Sequence, residues 1–268
     1  MTEASFDLEG RLFTSRAPRI VAARRLPRRR ARDQTGRFLA EGPQAVRSAL
    51  AAGVVLDLFG TDTALSRHPE LAAQSPQVSP VTEEALAALA ETVQPQGLVA
   101  VCDQIDIPLA EALAKRPRLI AVAAEIRDPG NAGTILRTAD AAGADAVIFA
   151  GEAVDPYNGK CVRASAGSLF HVDVVRAPLS ILPELRAAGI QILATTGYGD
   201  ADLDDLQDNG TLVAPTAWLF GSEAHGLPAD LLSAADKRVR VPIYGGAESL
   251  NLAAAAAVCL YASARAQR

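Results

Sequence analysis

Apolar and polar positions along the chain fall into short blocks whose period switches between that of a helix and that of a strand. PQAVRSALAAG (residues 43–53) puts Ala45, Leu50 and small neighbours on one helical face and stops at Gly53. VVLDLFG (54–60) follows as a strand. From His68 to Val81 the richness in Pro, Gln and Ser predicts a loop, after which EEALAALAETV (83–93) predicts a helix ending before Gln94-Pro95-Gln96-Gly97. LVAVCD (98–103) closes this part as a strand, so residues 38–102 read as helix and strand alternating in a module of their own. Pro108 and Pro117 enclose a short helical stretch, PLAEALAKR, where a domain junction is expected. The division is then an amino-terminal domain over residues 1–103, a linker over 104–117 and a second domain over 118–268.

In that second domain LIAVAA, DAVIFA, HVDVV, IQILAT and AWLFG are strands separated by helices, one from about Asn131 and one over Leu179–Ala188. Most of these strands are continuous apolar runs, as expected of strands buried on both faces of a parallel sheet. The fold class is α/β. A last helix from about Ser249 to Arg265 is dominated by alanine and must pack closely on the sheet or on a second subunit. No Gly-x-Gly-x-x-Gly follows a strand, which disfavours a dinucleotide site.

Composition and charge divide the chain. With 49% hydrophobic residues in 268 it buries a real core, and with 4% aromatics that core is built from Ala, Val, Leu and Ile. The formal net charge is −5, yet residues 1–50 hold eleven arginines, no lysine and five carboxylates, a net +6. Nine of these arginines lie between Arg16 and Arg37. Guanidinium forks match phosphate geometry, so Arg16, Arg19, Arg24, Arg25, Arg28, Arg29 and Arg30 are candidate RNA-backbone contacts; the same run also reads as a solvated basic face or a flexible leader. Cys102, Cys161 and Cys259 have no Cys-x-x-Cys spacing, and His68, His171 and His225 have no ligand spacing, so neither metal nor disulfide is expected. The amino terminus lacks a basic region followed by an apolar run, and no stretch reaches the roughly 18 apolar residues of a membrane span, which points to a cytoplasmic protein.

Three segments carry candidate chemistry. EIRDPGNAGTILR (125–137) runs through a Pro129-Gly130 turn into a helix, with Asn131 as its expected N-cap and Arg137 one turn past Gly133; Arg137 could equally be an ordinary surface residue. WLFGSEAHGL (218–227) is a buried strand ending in Gly221-Ser222-Glu223, at the strand end where α/β sheets bind ligands. VRVPIYGGAESLNLAAAA (239–256) is a strand, Pro242, a Gly245-Gly246 loop and a helix start, where Ser249 is an expected N-cap.

Together, in this order and spacing, the three segments resemble the motifs of the SpoU/TrmH family of RNA ribose 2′-O-methyltransferases (SPOUT superfamily). The matching residues are Asn131, Gly133 and Arg137; Phe220-Gly221-Ser222-Glu223 with Gly226; and Pro242 with Ser249-Leu250-Asn251-Leu252. The resemblance runs from about Leu119 to the end and implies a parallel-sheet domain tied in a trefoil knot, a rare exception to unknotted chains. It implies S-adenosylmethionine held by Thr195, Thr196 and Gly197, by Phe220 and Gly221, by Val241 and Ile243, and by Leu250 and Leu252. It implies a homodimer. The first hundred residues resemble the family's small RNA-binding domain, similar to a ribosomal-protein fold, which favours ribosomal RNA over tRNA as substrate; a tRNA enzyme, or a noncatalytic RNA-binding relative, is the alternative.

By the same resemblance Arg137 is the catalytic group. A guanidinium cannot readily accept a proton near pH 7, so the preferred role is stabilising the developing 2′-alkoxide while the proton leaves to phosphate or water. Asn131 orients the ribose or Arg137, Glu223 holds the loops or Arg137, and Ser249 with Asn251 completes the pocket. Positioning and electrostatics would supply the rate without a metal.

Overall fold

The computed structural model describes residues 12–268; the expectation about the amino-terminal segment falls on residues 1–11, which lie outside the described residues. The chain divides into two compact units, one of residues up to Gln104 with Tyr157–Arg163, the other of Ile105–Pro156 with Ala164–Arg268.

In the first unit, helices α1 (Pro18–Ala23) and α2 (Arg29–Thr35) precede β1 (Arg37–Glu41), α3 (Pro43–Ala51) and β2 (Val55–Gly60). Then come α4 (Asp62–Arg67), α5 (Pro69–Gln74), β3 (Val78–Pro80), α6 (Glu83–Leu89) and β4 (Leu98–Asp103). The sheet order is β1-β4-β2-β3, with β4 antiparallel to both neighbours and β3 parallel to β2. The Arg-rich run folds because apolar residues punctuate it. Ile20, Ala23 and Leu26 are buried among Phe59, Val81, Leu86, Leu89 and Val99, while Gly36, in the left-handed conformation, ends α2. The stretch from His68 to Val81 is more than a loop: Pro69 opens α5 and three residues pair as β3, both too short to show a period.

The second unit contains α7 (Leu109–Ala114), β5 (Leu119–Ala124), α8 (Pro129–Ala142) and β6 (Ala146–Ala150). A helix α9 (Gly159–Ala164) lies mostly within the first unit's share of the chain. After it follow β7 (Asp173–Ala177), α10 (Leu182–Ala187), β8 (Gln191–Thr195), β9 (Ala201–Asp202), α11 (Leu203–Asp208), β10 (Thr216–Phe220), α12 (Ala229–Ala234), β11 (Lys237–Arg240) and α13 (Leu252–Gln267). Seven parallel strands form one sheet in the order β7-β6-β5-β10-β8-β11-β9. Every residue of β5, β6 and β10 is buried, which explains their unbroken apolar runs. Residues 105–117, expected as a linker, fold into this unit: α7 places Ala112 in the core, with Ile107, Leu109 and Leu113 packed beside it.

Alanine richness in α13 serves close packing on α8, β5 and β10. There the Trp218 indole N–H donates to Ser263 Oγ at 2.9 Å, both side chains fully buried, so the largest core residue is tied to the last helix. Two helix starts differ from the sequence reading. α8 is capped by Asp128, whose side chain accepts from the Asn131 backbone N–H at 2.8 Å, because Pro129 is preset for the first helical position. α13 begins at Leu252 and its cap is Asn251, not Ser249. No helix among the described residues is long and apolar enough to cross a membrane.

Candidate active site

Three neighbouring strands of the second unit, β10, β8 and β11, end on one edge, where the loops that leave them enclose a cavity of about 490 Å³. Its walls are Thr195, Thr196 and Gly197 after β8, Gly221, Ser222, Glu223 and Gly226 after β10, and Val239, Val241 and Ile243 along and beyond β11. Glu248, Ser249, Leu250, Asn251, Leu252 and Ala255 complete it at the start of α13.

Local folding explains each wall. Thr195 donates its hydroxyl to the Leu219 carbonyl at 2.8 Å and the Thr196 N–H donates to the Val239 carbonyl at 2.9 Å, which locks the β8 exit to both neighbours. The loop after β10 folds on itself: Ser222 N–H donates to Gly226 O at 3.1 Å and Gly226 N–H to Ser222 O at 2.8 Å. A Cβ on Gly221 would run into the backbone of Gly226 and Leu227, and Gly226 has φ +67°, so both positions require glycine. This tight loop holds Glu223 outward.

Asn131 Nδ2 donates to Glu223 Oε1 at 2.5 Å, and Asn251 Nδ2 donates to Asn131 Oδ1 at 3.3 Å. The side-chain Oδ1 of Asn251 meanwhile accepts from Ala253 and Ala254 N–H at 2.9 and 3.3 Å. One chain of amide and carboxylate groups therefore connects the first turn of α8, the loop after β10 and the start of α13. Freed from capping by Asp128, Asn131 spends its side chain on this network.

Of the expected cofactor contacts, Thr195, Thr196, Gly197, Gly221, Val241, Ile243, Leu250 and Leu252 line the cavity. Phe220 does not; its side chain is fully buried in the core. Of the expected catalytic residues, Glu223, Ser249 and Asn251 are in the wall and Asn131 joins it through its hydrogen bonds. Arg137 lies outside the wall, exposed on α8, with no side-chain hydrogen bond or ion pair among the described residues. Val239, Glu248 and Ala255 were not expected; Glu248 directly precedes the motif residue Ser249, which is the signal that could have found it, whereas Val239 belongs to β11 and Ala255 lies about one helical turn past Leu252.

The cavity suits a cationic, adenosine-sized ligand. Its volume falls in the range of small-molecule sites, and its lining combines backbone-rich loops and aliphatic side chains with Glu223 and Glu248 and no Lys, Arg or His. That donor set fits the sulfonium of S-adenosylmethionine and gives a polyphosphate no countercharge. No group of three potential metal ligands is placed to hold an ion among the described residues.

In the first unit Arg16, Arg24, Arg25, Arg28, Arg29 and Arg30 are exposed. Arg29 lies 3.7 Å from Asp33. Arg19 is half-buried instead: its guanidinium donates to Ser79 Oγ at 2.6 Å, pairs with Asp57 at 3.3 Å and lies over the Phe13 ring at 4.9 Å. Burial raises the Asp57 carboxyl above its usual value, while the Ser79 hydrogen bond and Arg19 act in the opposite direction.

Comparison with known proteins agrees with both units. The SpoU rRNA Methylase family profile matches residues 118–261, and the MRM3-like substrate binding domain matches residues 17–100. The 23S rRNA (guanosine(2553)-2′-O)-methyltransferase RlmP of Bacillus subtilis is 37% identical over 240 residues, covering 89% of this chain and 92% of its own. The AdoMet-bound rRNA methyltransferase of Sinorhizobium meliloti superposes with a TM-score of 0.81 at 33% identity, covering 95% of this chain and 97% of its own. The SpoU methyltransferase AviRb of Streptomyces viridochromogenes, in complex with AdoMet, superposes with a TM-score of 0.80 at 31% identity, covering 93% and 98%. With motifs, strand-end cavity and whole-length likeness in agreement, the chain belongs to the SpoU rRNA methylase family.

Proposed function

We propose that this protein transfers the methyl group of S-adenosylmethionine to a ribose 2′-hydroxyl of ribosomal RNA. The observation that carries the reading is the cavity at the ends of β8, β10 and β11, bounded by two of the three motif segments and the loop after β8, and joined to the third segment at α8 through the hydrogen bonds of Asn131 with Glu223 and Asn251. Of the relatives named above, RlmP and the Sinorhizobium meliloti protein are rRNA methyltransferases, and the Sinorhizobium meliloti protein and AviRb are in structures with AdoMet bound.

Thr195–Gly197, Gly221, Val241, Ile243, Leu250 and Leu252 would hold the cofactor. When bound, it supplies an electrophilic methyl carbon on a sulfonium, to which the 2′-oxygen bonds as the carbon–sulfur bond breaks. A guanidinium is a hydrogen-bond donor and not a base, so the part of Arg137 is to stabilise the negative charge growing on the 2′-oxygen, with the hydroxyl proton passing to a phosphate oxygen or water. Among the described residues its side chain has no partner, which leaves the whole fork for substrate. Asn131, Glu223, Ser249 and Asn251 position the reacting groups, and the exposed arginines Arg16, Arg24, Arg25, Arg28, Arg29 and Arg30, before α1 and from its end into α2, hold the RNA backbone. The reading includes a cytoplasmic homodimer and the trefoil knot. The half-exposed Val258 and Tyr261 on α13 offer an apolar surface for a second copy, which sedimentation velocity will test.

The enzymatic test uses labelled S-adenosylmethionine and separate rRNA and tRNA pools. Arg137→Ala should lower methyl transfer by about 10²-fold or more with calorimetric cofactor affinity unchanged. Arg137→Lys, keeping charge and losing the fork, should recover only part. Transfer surviving within a few-fold in the alanine variant removes Arg137 from the chemistry. Absence of cofactor binding by the wild-type protein would instead favour a noncatalytic RNA-binding role.

A further inference from the structure

We propose that Tyr244 is a stacking platform for the unpaired base of the nucleotide being methylated, with Tyr198 on the neighbouring loop as a second aromatic face. This rests on the RNA-methyltransferase reading above.

Aromatic residues are scarce, 4% of the chain, and of the eleven described ones six are buried and Phe13 and Phe170 half-buried. The exposed ones are Tyr198 at 95%, Tyr244 at 86% and Tyr261 at 53%. Two of these three directly follow residues of the cavity wall, Tyr198 after Gly197 and Tyr244 after Ile243. The strands that deliver them, β8 and β11, are hydrogen-bonded neighbours, so both rings arise on one rim.

Tyr244 is also tethered. Along the β11 edge Arg238 pairs with Asp200 at 2.6 Å and Arg240 with Asp202 at 2.5 Å, and the Tyr244 hydroxyl then donates to Asp204. The ring is held by its polar end while its faces stay open to solvent. A tyrosine restrained in this way loses little rotamer freedom on binding. The neighbouring carboxylates Asp200 and Asp202 already have arginine partners, which lessens their repulsion of a phosphate backbone.

The reaction needs such a surface. A ribose brought to the methyl group in a concave site has to leave the stacked helix, and its base then loses both neighbours. An aromatic ring restores part of that stacking without reading the sequence, because every base has a π-face. The base itself takes no part in 2′-oxygen chemistry, so the platform affects how RNA is held more than how the methyl moves.

The test compares Y244A, Y244F, Y244W and D204A by cofactor calorimetry and by methyl-transfer kinetics on a 23S rRNA transcript. Y244A should leave cofactor affinity within two-fold and raise KM for RNA by roughly 5- to 100-fold; Y244W should restore it. Y244F and D204A keep the ring and lose the tether, and should match each other at an intermediate KM. A single-stranded RNA oligomer carrying 2-aminopurine gives an independent readout, quenched by wild type and not by Y244A. If Y244A weakens cofactor binding and leaves the RNA KM unchanged, or if Y244W is no better than Y244A, the platform is wrong and Tyr244 only braces the loop. A wild-type protein that methylates no rRNA overturns the enzymatic reading, while the quenching comparison still decides the platform.

Discussion

Asn251 does two jobs with the two ends of one amide, and two substitutions separate them. Its carbonyl oxygen faces the N–H groups of Ala253 and Ala254, so its NH₂ is the end that meets Asn131 Oδ1 at 3.3 Å. Alanine removes both functions. Loss of an N-cap costs about 1 kcal/mol, which lowers the melting temperature of a unit of this size by roughly 2–4 °C. Serine is as good a cap as asparagine, so N251S should melt within about 1 °C of wild type while losing the bond to Asn131. A net hydrogen bond of about 0.5–1.5 kcal/mol corresponds to a roughly 2- to 12-fold lower kcat/KM, expected in both variants. Differential scanning calorimetry and methyl-transfer kinetics on one preparation give both numbers. The reasoning is refuted if N251S melts as low as N251A, or if N251S is fully active while N251A is impaired.

The other predictions concern the core, the thiols and the basic helices. Ser263→Ala leaves the buried Trp218 N–H without an acceptor and should cost about 1–3 kcal/mol by urea unfolding; in a Trp218→Phe background the same change should cost almost nothing. Burial pushes the thiols of Cys102 and Cys259 well above their ordinary value, so the native protein should resist alkylation at pH 8 and react on unfolding. Because these thiols hold their protons when folded and ionise near pH 8.5 when unfolded, their linkage favours folding less as pH rises beyond that value; unfolding at pH 8 and pH 10 will show a loss at the higher pH. Replacing Arg24, Arg25, Arg28 and Arg30 together with glutamine should reduce the salt dependence of rRNA binding, by up to about three or four units in log–log slope. A change below one unit would separate these arginines from the phosphates.

Strands β5 and β6 and the middles of β8 and β10 are legible as apolar runs because they are buried on both faces; polar residues stand only at the ends, Gln191 and Thr195 in β8 and Thr216 in β10. The cavity loops were legible as motifs, since glycines such as Gly221 and Gly226 are demanded by the backbone itself. The helix caps were not: Asp128-Pro129 outcompetes Asn131 by one turn, and Asn251 outcompetes Ser249, choices made by side-chain reach that spacing alone does not reveal. The bond between Asn131 and Asn251 spans 120 positions and exists only once the sheet order has brought α8 to α13. Arg19 looked like its neighbours in the basic run, yet Asp57 and Ser79, both distant in sequence, draw it inward. Residues 105–117 looked like a linker because their prolines flank a helix too short to show which side is buried.

The central claim is tested most directly by mapping the product. Unmethylated 23S rRNA is incubated with the protein and S-adenosylmethionine, and riboses that resist alkaline cleavage are located. One resistant ribose, absent with Arg137→Ala and absent from a tRNA pool, is the predicted result. Methylation of tRNA alone, of a base in place of a ribose, or of nothing by a protein that binds the cofactor would contradict it.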